Sequence, residues 1–260
     1  MLMFACFNFS TEDDFSSYRE AGELIYNNNK ASIKKSLSDY FDINGSINGT
    51  DLQENWFPEI DADIFISHSH KDEGMAMGLA GLLYKKFGLK VFIDSCVWGY
   101  SLDLQREIDK EFCLIDEEKD LYDYQKVMYS TSHVHMMLST ALTKMLDKSE
   151  SIFFLNTPNS INANDTINQT KSPWIYHEIA MTKMIRRREL LEYRRVMVSE
   201  GVFGYEMRNK SLDVKYNVDL GHMIELTDFD LEFWELRKEL NNDVKYPLDI
   251  LYKIKTTMKE

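Results

Sequence analysis

From Ala62 onward, short apolar runs alternate with amphipathic stretches, and this alternation restricts the fold more than any other feature of the chain. Ile64-Phe65-Ile66 reads as a short buried strand, Glu73 to Phe87 as a helix rich in Met, Ala and Leu that ends at Gly88, and Leu89 to Asp94 as a second strand. Parallel neighbours need a crossover, which is usually helical, so the alternation predicts an α/β fold with a parallel sheet covered by helices. Leu102 to Phe112 reads as a helix and the charged stretch Asp116 to Lys126 as an exposed insertion, placed near 113–131. A long helix, His133 to Asp147, a strand, Ser151 to Leu155, and a polar loop, Asn156 to Thr170, follow. A fourth strand is expected at Tyr193 to Val198, after the basic run Arg186-Arg187-Arg188. Beyond it, Tyr216 to Leu226 offers a strand or hairpin, Phe229 to Leu240 a helix with Trp234 on its apolar side, and Pro247 to Lys255 a short closing helix.

The first sixty residues read differently. Phe15, Tyr18, Ala21, Leu24 and Ile25 recur at helical spacing after the acidic turn at Ser10 to Asp13, and Ala31 to Tyr40 gives a second helical pattern. Asn44-Gly45-Ser46-Ile47-Asn48-Gly49-Thr50 then marks a turn or linker. The expectation is an N-terminal helical extension over 1–60 and a sheet domain over 61–260.

Composition narrows the function classes. A chain of 260 residues, 44% of them hydrophobic, can bury a full core. A formal net charge of -13 argues against a general nucleic-acid binder, because phosphate affinity rests on a basic surface. Cys6, Cys96 and Cys113 show no CxxC spacing, which suggests neither a disulfide framework nor a zinc knuckle and fits a reducing cytosol. The start of the chain lacks a basic n-region, and no stretch approaches the roughly 20 apolar residues of a membrane span. A cytoplasmic protein without membrane attachment is the reading.

Ser172-Pro173-Trp174-Ile175-Tyr176-His177-Glu178 carries the chemistry. Ser172 is a good N-cap and Pro173 a good first helical residue, so Trp174 and Glu178, four apart, are neighbours on one side of a well-anchored helix. A flat ring beside an acid suits a ligand with a stackable base and a sugar; the bland reading makes Trp174 core and Glu178 a solvated helix residue. Ligands of open parallel sheets bind outside the carboxyl ends of the strands. That rule brings Ser67-His68-Ser69-His70, Asp94 to Tyr100, Asn156-Thr157 and the start of the Trp174 helix to one rim. No GxGxxG follows the first strand, which disfavours a dinucleotide-dependent dehydrogenase.

With these residues in view, the chain resembles the Toll/interleukin receptor (TIR) family over about Ala62 to Leu240. Asp63-Ile64-Phe65-Ile66-Ser67-His68-Ser69 looks like the family's opening strand, Leu89 to Asp94 like its second strand leading into a long loop, and Ser172 to Glu178 like its Ser-x-Trp-x-x-x-Glu segment. The resemblance implies a flavodoxin-like parallel sheet and, as in many bacterial and plant members, cleavage of NAD+ between nicotinamide and ribose. The essential glutamate falls on Glu178. NAD+ is then a substrate, no cofactor or metal is implied, and the product is ADP-ribose or a cyclic ADP-ribose-type signal sensed by a downstream effector protein in antiphage defence. Self-association through TIR surfaces is implied as well. The charged insertion and the amino-terminal helices depart from the minimal domain, and animal adaptor members keep the fold only as interaction modules.

Around Glu178, the candidate substrate-binding residues are Trp174, Ser67, His68, Ser69, Asp94, Trp98 and Tyr100. Trp98 and Tyr100 are read on a loop that closes over a base or forms a self-association surface. Asp94 orients the pocket or merely caps a turn. His68 and His70 have metal-like spacing but no clear third ligand, and His133 and His135 read as capping and packing residues. Two other classes stay open: a non-enzymatic TIR scaffold that signals by assembly, and a nucleoside deoxyribosyltransferase-like enzyme that would trap a sugar on Glu178.

Overall fold

The structure is a computed structural model that describes residues 5–30, 37–41, 45–164, 167–185, 216–241 and 244–257. In chain order its elements are β1 (Ala5–Phe9), α1 (Arg19–Lys30), α2 (Gly49–Trp56), β2 (Ile64–Ser67), α3 (Glu73–Phe87), β3 (Val91–Ile93) and α4 (Ser95–Phe112). A small hairpin, β4 (Leu114–Asp116) and β5 (Leu121–Tyr122), precedes the 25-residue α5 (Tyr124–Lys148) and β6 (Ser151–Leu155). Then come β7 (Asn162–Asn164), β8 (Ile167–Thr170), α6 (Pro173–Met184), β9 (Tyr216–Asn217), β10 (Ile224–Leu226), α7 (Asp228–Leu240) and α8 (Pro247–Thr257).

Five strands form one parallel sheet in the order β10-β1-β6-β2-β3, which is the expected α/β class. Taken from the β3 edge with β2 counted first, β3-β2-β6 reproduces the 2-1-3 start of a flavodoxin-like sheet. The fourth place is filled from an unexpected direction, by the amino terminus. β1 lies between β6 and β10, and all five of its residues are buried. The first sixty residues are therefore not a helical appendage. Ala5-Cys6-Phe7-Asn8-Phe9 is long enough for a strand of the sheet, and helix begins only at Arg19, after a 3-10 turn at Ser16–Tyr18. Leu52, Trp56, Phe57 and Ile60 join the same core. The strand expected at Tyr193 to Val198, the run Arg186 to Arg188 and most of the helical pattern from Ala31 lie outside the described residues.

Alternation along the strands gives the sheet two unlike faces. Phe7 and Phe9 point to one of them, where Phe7 stacks on Tyr252 of α8 and Phe9 packs near Phe15. This face is covered by α1, α3, α7 and α8. Trp234 of α7 is fully buried there, its ring stacked 3.8 Å from that of Phe87. α1 and α3 approach so closely that a Cβ on Gly22 would overlap the Met77 carbonyl, and one on Gly81 the Tyr18 carbonyl. Gly88 ends α3 in the left-handed region (φ 69°), where glycine carries no steric penalty. The opposite face is covered by α6, which packs on α5, and α5 also holds α2 and α4. A third sheet, in which β7 pairs with β8 and β9 adds to β8, occupies the polar stretch expected to be loop and its neighbour.

A buried cluster of two carboxylates, a serine and a histidine

α6 is anchored as its sequence predicts. Ser172 caps it by accepting a hydrogen bond from the Ile175 amide at 3.2 Å, and Pro173 occupies the first turn. This register turns Glu178 inward, to 1% exposure. There the Ser67 hydroxyl, at the end of β2, donates to Glu178 Oε2 at 2.6 Å across 111 residues of sequence. Ser67 sits where the connections of β2 and β6 leave in opposite directions, the switch point at which open α/β sheets bind ligands.

Asp94 follows β3 directly and completes the cluster with His68. The His68 amide donates to Asp94 Oδ2 at 3.3 Å, and His68 Nδ1 lies 2.5 Å from Asp94 Oδ1. Both side chains are fully buried. Burial pulls the His68 imidazole down to about 4 against the pull of nearby Glu73 and Glu178. Burial also holds Glu178 well above the usual carboxylate range, with the Asp94 charge pushing the same way and the Ser67 hydrogen bond opposing. Asp94 is raised in turn, again chiefly by burial. Two carboxyls so placed cannot both ionise without cost, and their proton uptake belongs to the pair.

Of the residues expected at the site, the structure brings together Ser67, His68, Asp94 and Glu178. Trp174 meets α5. Its ring is half-buried and lies edge to face with that of His135, centroids 5.7 Å apart. Ser69 is half-exposed and leads into a 3-10 turn, His70–Asp72. Trp98 and Tyr100 are not on a loop: α4 starts at Ser95, directly after Asp94, and contains both positions, whose side chains lie outside the description. The long segment expected after the second strand is therefore helix. His133 packs edge-on against Tyr129 within α5, and His70 is exposed. Among the described residues no group of three His, Cys, Asp or Glu side chains is placed to hold a metal ion, and no helix is long and apolar enough to cross a membrane.

Sequence reasoning missed Asp72. Buried in the turn after β2, its carboxylate accepts from Thr157 Oγ1 at 2.5 Å and Asn159 Nδ2 at 2.7 Å, which ties the loop after β6 to the rim beside Ser67. The signal was available, since both segments follow strands that the alternation identifies. Asn8 was missed because its strand was missed.

Set against protein-family models, curated proteins and solved structures, the chain matches none. The likeness to TIR domains thus rests on the residues named above.

Proposed function

We propose that the protein is a TIR-type enzyme that cleaves NAD+ at the bond between nicotinamide and ribose, with Glu178 as the carboxylate that meets the ribose. The observation that supports this reading most is the Ser67–Glu178–Asp94–His68 cluster, a set of buried ionisable groups at the switch point of a parallel sheet. When the C1′–N bond breaks, its electron pair neutralises the pyridinium nitrogen, so nicotinamide leaves without needing a proton. The ribose gains oxocarbenium character, which a carboxylate stabilises, and water or an internal nucleophile then adds at C1′. Glu178 rests with its proton affinity raised, and a cationic pyridinium entering beside it would favour the ionised form. Substrate arrival and activation of the carboxylate are thereby linked.

Ser67 orients Glu178, and Asp94 with His68 sets its charge. Self-association, a cytosolic setting and a product-sensing effector in antiphage defence belong to the same reading. The near-complete burial of Glu178 favours a second one, a non-enzymatic scaffold in which the cluster only pins α6 to β2. Incubation of concentrated protein with NAD+, followed by mass spectrometry, decides between them. Release of nicotinamide by the wild type and at least about a hundredfold less by Glu178→Gln supports the enzyme. Equal turnover by both proteins removes Glu178 from the mechanism, and no turnover even when the protein is artificially clustered supports the scaffold.

A further inference from the structure

The polar row across the sheet continues beyond Ser67. The strand register pairs Ser67 with Phe154, Phe154 with Asn8, and Asn8 with Glu225. Laterally paired residues of parallel strands project to one face, so Asn8 and Glu225 share the face of Ser67, about 10 and 14 Å away by the spacing of neighbouring strands. A cavity of about 600 Å³ opens there, lined among others by Asn8, Asn156, Asn168, Asp219, Met223 and Glu225, a volume typical of small-molecule sites. Asn8 is the polar exception in the run Ala5 to Phe9 and is only 6% exposed. Its Nδ2 donates to Glu225 Oε1 at 3.1 Å, which fixes the amide orientation, because a carboxylate only accepts. That leaves Asn8 Oδ1 buried without a partner at the cavity wall, a cost unless a bound molecule supplies a donor.

The lining defines the donor. Two carboxylates and three amide side chains face the cavity, and Lys183, from the end of α6, is already held 2.8 Å from Asp219 Oδ2. A phosphate would be repelled, whereas hydroxyl groups find acceptors in Asn8 Oδ1 and Glu225. The amides of Asn156 and Asn168 can both donate and accept, as the edge of a heteroaromatic base requires, and Leu220 and Met223 supply an apolar wall for its ring. We infer that this cavity binds a neutral nucleoside, its ribose hydroxyls donating to Asn8 and Glu225. The inference rests on the proposed NAD+ reading only for whether that nucleoside is free or is the adenosine end of the dinucleotide.

Isothermal titration calorimetry of the full chain with adenosine, and separately with NAD+, tests this. Adenosine is expected to bind the wild type and Glu178→Gln alike, and about tenfold more weakly to Glu225→Ala, which removes a charged acceptor. Asn8→Leu should weaken it further. Asn8 lies inside the sheet, so if that variant does not fold, the exposed Glu225 decides. Loss of NAD+ affinity in both Glu225→Ala and Glu178→Gln would make the cavity one end of a dinucleotide site, and NAD+ binding indifferent to Glu225 would make it a separate nucleoside site. Absence of adenosine binding, or binding unchanged in Glu225→Ala, overturns the inference. Adenosine bound through Glu225 by a protein that leaves NAD+ intact would sink the enzymatic reading alone.

Discussion

The two faces of the central sheet are built from the same strands and solve different problems. β1 sends Phe7 and Phe9 to one face and Cys6 and Asn8 to the other; β2 sends Ile64 and Ile66 one way and Ser67 the other. On the first face, aromatic and aliphatic side chains meet helices that pack almost backbone to backbone. On the second, burial extends to groups that prefer water, Glu178, Asp94 and His68, and to the Cys6 thiol, which burial pushes up to about 12. Stability is concentrated where most buried atoms are content to be dry and the polar ones are paired, Asp230 with Lys255 and Glu150 with the Tyr252 hydroxyl. The other face carries buried ionisable groups that a fold selected for stability alone would replace, the usual mark of a functional site.

The contrast is broken most severely on the apolar face. Trp234→Ala should cost about 3–5 kcal/mol, because it removes a fully buried indole, its stacking on Phe87 and its hydrogen bond to the Pro247 carbonyl at 2.9 Å. Denaturant unfolding measures this, and a loss below about 1 kcal/mol would mean that the α7 layer is not part of the cooperative unit. Gly81→Ala comes next, at about 1–3 kcal/mol, since a single methyl must displace backbone of the segment leading into α1. The same substitution at Gly49, where the added carbon meets only the Met137 side chain at ordinary contact distance, is the control expected to leave the midpoint nearly unchanged.

On the polar face, Ser67→Ala should cost about 1 kcal/mol in the wild-type background, the net worth of a buried hydrogen bond. A double-mutant cycle with Glu178→Ala, which removes the acceptor, assigns that figure. If the two effects simply add, the 2.6 Å contact contributes nothing to stability, and α6 is held by packing alone.

How much of this contrast was readable from residues depends on the range of the signal. The start of α6 was legible because Ser172 and Pro173 act within one helical turn, and the end of α3 because Gly88 tolerates the left-handed region. Trp234 was legible from period alone. β1 was not: four apolar residues and an asparagine ahead of an acidic turn carry no period long enough to separate strand from the helical spacing that follows, and only pairing with β6 and β10 reveals the strand. The first turn of α4 was also hidden, since Val97 and Gly99 are poor helix formers overridden by tertiary context. At the site, the strand-end rule correctly gathered Ser67, Asp94 and Glu178 but gave no hint that Trp174, four residues from Glu178, would turn to α5. Helical spacing makes two side chains neighbours; the packing of a third element decides whether they share a pocket.

The subtlest test of the comparison is one of sign. Glu178→Gln keeps the shape of the side chain and an acceptor for Ser67 while removing the proton equilibrium. In the wild type the folded-state pKa of Glu178 is raised above its unfolded value, so the native protein binds the extra proton and the stability tied to it is fully present below about pH 4. It is lost as pH rises through the raised value, because burial then opposes a charged group. Asp94 acts in the same direction in both proteins. His68, lowered to about 4, acts oppositely: its contribution is present above about pH 6.5 and lost as pH falls toward 4, again in both proteins. The burial parts of these terms, the largest in each, are common to both proteins and cancel in the difference, leaving only the part that Glu178 itself contributes to them. Glu178→Gln should therefore melt with the wild type near pH 4 and progressively above it toward pH 8, each 1 kcal/mol appearing as about 2–4 °C for a protein approaching this size. Scanning calorimetry at several pH values measures the gap. A gap that stays flat or closes with rising pH would mean that Glu178 carries no burial penalty, and the polar face would then be no less relaxed than the apolar one.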